Sequence, residues 1–201
     1  MKDYVKNLII GLVIVIIVIA LFLIFKHEKE IDESLTHSLP VSVENIEVND
    51  KYNNLEDLKK DITSSNKLIA YLSQNYYLKD DSVLVARDLE VIVKSDKLNL
   101  ADFTYFTSYL LQSMNIESGV IEYEYGDKVN LVVVFREEDI PKYITFTDKG
   151  VLMFEHGWSF EDLIKAEENR LNISIDRYAY FPAETIDFSQ IVNPYDWQYL
   201  N

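Results

Sequence analysis

The chain contains no cysteine. That single absence excludes disulfides, thiolate zinc sites, cysteine nucleophiles and a lipidated cysteine anchor. Glycine is scarce, at 5 of 201 residues. Neither GxGxxG nor GxxxxGK[ST] occurs, which removes the usual phosphate-cradling loops. The three histidines, His27, His37 and His156, are too sparse for a histidine zinc site, and no HExxH or EF-hand spacing is present. No metal and no cofactor is expected. Basic residues are outnumbered 34 to 19, for a formal net charge of −15. Such a surface repels phosphate backbones and lacks a polybasic patch for anionic lipid, so no nucleic-acid partner is expected. The chain also lacks internal repeats and low-complexity segments.

What is present begins with a hydrophobic run. Residues 1–7 form a short tail, and Leu8 to Phe25 reads LIIGLVIVIIVIALFLIF, without a charge. Eighteen helical residues span about 27 Å, close to the roughly 30 Å hydrocarbon core of a bilayer. A cleavable signal would have a shorter apolar region and a small-residue cut site, and no A-x-A follows Ala20. The run is therefore expected to be an uncleaved single-pass anchor, making the membrane itself a partner through residues 8–25. Lys2, Lys6 and the α-amine precede it; Lys26 and Lys29 follow. The slight excess of positive charge before the run favours a cytoplasmic amino terminus and an extracytoplasmic domain.

Residues 26–51 are polar and acidic and read as a juxtamembrane linker, with Val41 to Val48 a possible edge strand. The globular domain is expected over 52–201. Leu55 to Tyr77 has helical spacing, broken near Thr63-Ser64-Ser65-Asn66, and Ser82 to Lys94 suits a further helix. Residues 99–116, NLADFTYFTSYLLQSMNI, place Phe103, Phe106, Leu110, Leu111 and Met114 on one helical face. Asn99 is a good N-cap and Asp102 falls at the third helical position, close to a capping box. Then the period changes to two. GVIEYEY (119–125) alternates; VNLVVVF (129–135) is almost uniformly apolar, as expected of a central strand; YITFT (143–147) and 151–154 follow. Pro141 is read as a loop residue. Ser159 caps a helix to about Leu171, and ISIDRYAYF (173–181) is a last strand before a tail. The fold class is α+β, a central helix packed on an antiparallel sheet.

This order resembles the transglutaminase-like domains, which share the papain-like cysteine protease fold. In that family a G-D-C-x-D-F stretch opens a helix, a histidine begins a following strand, and an aspartate closes the next. The helix end lowers the thiol pKa, histidine serves as base and acid, and aspartate orients it. Here Leu98-Asn99-Leu100-Ala101-Asp102-Phe103 stands where that stretch would be. Asp102 and Phe103 match, and Leu100 occupies the cysteine position. Asn130, opening NLVVVF, occupies the histidine position, and Asp148 of YITFTD the aspartate position. EHGWSFEDLIKAEENRL also looks like a continuation seen in bacterial members. The resemblance covers roughly Leu55 to Phe181. It implies a degenerate, catalytically inactive member, with Leu100, Asn130 and Asp148 at the triad positions and a role in binding a protein or peptide at the cell envelope.

A competing reading makes the chain an active hydrolase or transferase, with His156 of FEHGW paired to a carboxylate or to a hydroxyl of Thr104, Thr107 or Ser108. No GxSxG elbow accompanies it. Among the acidic groups, Glu122 and Glu124 share one strand face, expected to meet solvent. Asn172-Ile173-Ser174 matches a glycosylation sequon at the expected end of a helix.

Overall fold

A computed structural model describes residues 40–41, 46–48, 51–79, 85–147, 150–155, 159–183 and 198–199. Residues 8–25 lie outside this set. No helix among the described residues is long and apolar enough to cross a membrane.

The helices start where short polar side chains offer caps. Asn54 accepts from the Asp57 amide to open α1 (Leu55–Asp61), and Ser64 accepts from Lys67 to open α2 (Ser65–Asn75). The expected break is thus an end and a fresh start, set by Ser64. A two-residue strand, β1 (Tyr77–Leu78), pairs in parallel with β2 (Lys97–Leu98). Between them lies α3 (Leu89–Val93), capped by Asp88. Central helix α4 (Leu100–Ser113) carries the complete capping box: Asn99 Oδ1 accepts from the Asp102 amide at 2.7 Å, and Asp102 Oδ2 accepts from the Asn99 amide at 3.1 Å.

An antiparallel meander follows: β3 (Ser118–Tyr125), β4 (Lys128–Glu137), β5 (Ile140–Thr147) and β6 (Gly150–Glu155). Helix α5 (Phe160–Leu171) precedes β7 (Arg177–Pro182), and a two-residue β8 (Gln198–Tyr199) pairs with β7. The sheet order is β6-β5-β4-β3-β7-β8, so the apolar β4 is an interior strand as its sequence predicts. The described residues confirm α+β with a helix on an antiparallel sheet.

Three local expectations need correction. Pro141 is a strand residue, opposite Arg136 on β4. It is tolerated because pairing of β5 with β6 begins only at Lys142, so no ladder bond is asked of its nitrogen on that side. The last strand begins at Arg177 rather than Ile173. Asn172 closes α5 in the left-handed conformation, and Glu168 holds the next turn through its backbone carbonyl to the Ile173 amide and its carboxylate to the Ile175 amide. Val41 and Val48 pack against the core, and the Val41 amide donates to the Met153 carbonyl at 2.7 Å. Part of the stretch read as linker is therefore docked on the domain beside β6.

Both faces of the sheet are buried. Leu131, Val133 and Phe135 of β4 face α1–α4, where they meet Phe103, Phe106 and Leu72 or the smaller Val120 cluster. Val132 and Val134 face α5, with Tyr123, Tyr143, Leu163 and Ile164. The start of α4 is pinned beyond its own cap. Asp102 is fully buried and accepts from the Arg87 amide at 2.8 Å and from its Nε at 2.9 Å, with Nη2 completing the ion pair at 2.7 Å. Arg87 Nη2 also donates to the Lys97 carbonyl at 2.7 Å. Asp102→Ala removes the cap partner and the counter-ion together, and is expected to cost about 3 kcal/mol. Asn99→Ala removes the cap and the Asn99 Nδ2 bond to the Val85 carbonyl but leaves the Arg87 pair, at about 1 kcal/mol. Urea unfolding checks both; equal losses would show that the Arg87 pair contributes nothing.

Candidate functional site

Leu100 is the first residue of α4, the place where the family resemblance puts a nucleophile. Its side chain packs on the buried pair Val120 and Leu131, together with Ala86 and Tyr105. Asn130 is adjacent in sequence to Leu131, and a strand sends neighbours to opposite faces. Its Nδ2 donates to the Tyr123 hydroxyl at 2.5 Å on the α5 side of the sheet. The structure therefore does not bring Leu100 and Asn130 together: the sheet lies between them. The β4 residue on the same side as Leu100 is Leu131. Asp148 and His156 lie outside the described residues. Of the hydroxyls considered as partners for His156, Thr104 donates back to the Leu100 carbonyl at 2.8 Å, and Thr107 and Ser108 are buried without a partner.

On the α5 side a closed polar network surrounds Glu167, which has no exposed surface. Arg170 donates Nε to Oε1 and Nη2 to Oε2, each at 2.7 Å. Tyr123 donates to Oε2 at 2.7 Å, and Thr145 reaches the same oxygen at 3.4 Å. Burial, and after it the Glu167 charge, push the Tyr123 and Tyr143 hydroxyls well above the usual phenol range. Both oxygens of this carboxylate are hydrogen-bonded and fully buried, so it anchors α5 to the sheet and is closed to a ligand.

The other surprise is Glu122. Expected to face solvent with Glu124, it is 2% exposed. The alternating pattern identified the shared face correctly; it did not show that α4 covers that face.

A concave surface lies at the opposite end of the sheet. It encloses about 480 Å³, bounded by Gly119, Val134, Arg136, Pro141, Phe160 and Tyr180. That volume is in the range of small-ligand clefts. Phe160 stacks on Tyr180 at 4.6 Å between centroids, and Tyr180 keeps 40% of its surface exposed. The ring leans across Gly119, where a Cβ would stand 2.3 Å from Tyr180 Cε2. The cleft thus has an aromatic wall and a floor without a side chain. Neither Gly119 nor Tyr180 stood out as a site residue, because a glycine at a strand start and a tyrosine in an alternating strand carry no spacing signal. Among the described residues no cluster of three His, Cys, Asp or Glu side chains is placed to hold a metal ion.

No protein-family model, curated protein or solved structure matches this chain.

Gly119→Ala is expected to displace the Tyr180 ring and lose its stack on Phe160, at about 1 kcal/mol. In a Tyr180→Ala background the same change should be nearly neutral. A double-mutant cycle by urea unfolding measures the coupling, and equal costs in both backgrounds would contradict the packing described.

Proposed function

We propose that the chain is a single-pass membrane protein whose domain is a catalytically inactive module, transglutaminase-like in its order of elements though not in the placement of Asn130, that binds a protein or peptide partner outside the cytoplasm. The anchor is the uncharged run of residues 8–25. The observation that carries the inactive reading is the contact of Leu100 with the Val120–Leu131 pair at the start of α4. Acyl transfer of the family type needs a nucleophile at this helix end and an imidazole within hydrogen-bond reach of it. Leu100 and Leu131 have neither a nucleophilic atom nor a proton to exchange, and the apolar contact between them and Val120 leaves that place filled. The helix persists because Phe103, Phe106, Leu110 and Leu111 are core residues whatever stands at its first turn.

Binding rather than chemistry also suits the cleft. Its aromatic wall supplies apolar area at low entropic cost, and Glu117 in its lining supplies a polar contact to an extended segment.

The test is turnover by the full chain in detergent micelles, with ester and amide substrates in the presence and absence of an amine acceptor. The expected rate equals that of buffer with micelles alone. Saturable turnover that His156→Ala abolishes would overturn the inactive reading in favour of a histidine-dependent hydrolase or transferase.

A further inference from the structure

Strand β3 runs beneath α4 with Val120, Glu122 and Glu124 on the helix side. Their register fixes what surrounds them. Glu124 lies opposite Val129 on β4 and Arg177 on β7; Glu122 lies opposite Leu131 and Ala179. Arg177 donates to both oxygens of Glu124, Nε to Oε2 at 2.5 Å and Nη2 to Oε1 at 2.8 Å. Glu122 is one strand repeat deeper. It is 2% exposed, and its Oε2 meets no hydrogen-bond donor.

Among the described residues, the nearest cation on this face is Arg177, which is bonded to Glu124, and no donor reaches Glu122 Oε2. β4 presents Val129 and Leu131 on this face, and β7 presents Ala179 after Arg177. Helix α4 carries Thr104, whose hydroxyl is committed to the Leu100 carbonyl, and Thr107 and Ser108, whose hydroxyls are buried and unpaired. Its Asp102 is already paired with Arg87. Tyr105 is held protonated by burial and then by the negative charge of Asp88. An ionised carboxylate with no partner in such a place is strongly penalised.

We propose that Glu122 is a proton-dependent latch between β3 and α4, closed when its carboxyl is protonated and loosened when the proton leaves. The neighbouring cluster of Leu100, Val120 and Leu131 is the packing that loosens with it, since Val120 is the adjacent residue on the same face of β3. Burial raises the Glu122 pKa first and the Glu124 charge second, against a smaller opposing pull from Arg177, to about 7. The folded value thus lies above that of an unfolded glutamate, 4.5. Stability from this group is fully present below the unfolded value and is lost as pH rises through the folded one. The latch therefore holds in mild acid and weakens across neutral pH, independently of any partner in the cleft.

The experiment is denaturant unfolding of the full chain in micelles from about pH 5 to about pH 8.5, with Glu122→Gln and Glu124→Gln alongside. Relative to Glu122→Gln, the wild-type folding constant should fall by up to about tenfold per pH unit and level off above the folded pKa. Glu124→Gln should move the midpoint to lower pH, because it removes a repelling charge. Parallel profiles for wild type and Glu122→Gln, or a midpoint unmoved by Glu124→Gln, would overturn the latch. If Glu122→Gln does not fold, infrared spectroscopy of the wild type decides. A protonated carboxyl band should be present near pH 6 and lost by about pH 8.5, and its absence near pH 6 overturns the proposal.

Discussion

Asp102 is the constraint on which the rest of the domain depends. Its two oxygens take the Asn99 amide and the amide and Nε of Arg87, with Nη2 alongside as an ion pair, all in a place with no exposed surface. They fix the first turn of α4, and through Arg87 they tie that turn to the segment before α3 and to the β2 backbone at Lys97. A buried carboxylate is tolerable only when its lone pairs are filled, and here they are. With α4 fixed, its long apolar face defines one side of the sheet, and the helices α1 to α3 pack around it. Glu167 does the corresponding work on the other side, holding α5 against Tyr123 and Thr145.

A sheet covered on both faces makes strand parity decisive. One residue along β4 separates Leu131, which meets the start of α4, from Asn130, which is bonded to Tyr123 beneath α5. The same parity puts Glu122 under a helix rather than in water. Where a catalytic pair would need a thiol and an imidazole, the domain has a contact among aliphatic side chains. Its exposed concavity is elsewhere, beside the stacked Phe160 and Tyr180. Helix α4 is held by its core residues, and its first turn places Leu100 against Val120 and Leu131.

Much of this was legible before any coordinates. The caps at Asn99 and Ser159, the helical spacing of Phe103, Phe106, Leu110 and Leu111, and the uniformly apolar β4 are local signals, and they gave the right elements. What failed was non-local. Pro141 looks like a loop residue unless one knows that β6 stops at Glu155, opposite Lys142. β1 and β2 are too short to have a period. Glu167 reads as a surface residue on a charged helix, since nothing nearby in sequence reveals Tyr123, 44 positions away, as its partner. Motif order suggested that Leu100 and Asn130 would meet, but order says nothing about which face a strand residue takes.

The most direct test of the central claim, that the start of α4 faces an aliphatic contact on the opposite side of the sheet from Asn130, is a set of side-chain nuclear Overhauser effects. The structure predicts methyl contacts from Leu100 to Val120 or Leu131, and contacts from the Asn130 side-chain amide to the Tyr123 ring. Contacts between the Leu100 methyls and the Asn130 amide would contradict it, since they would place both residues on one face of the sheet.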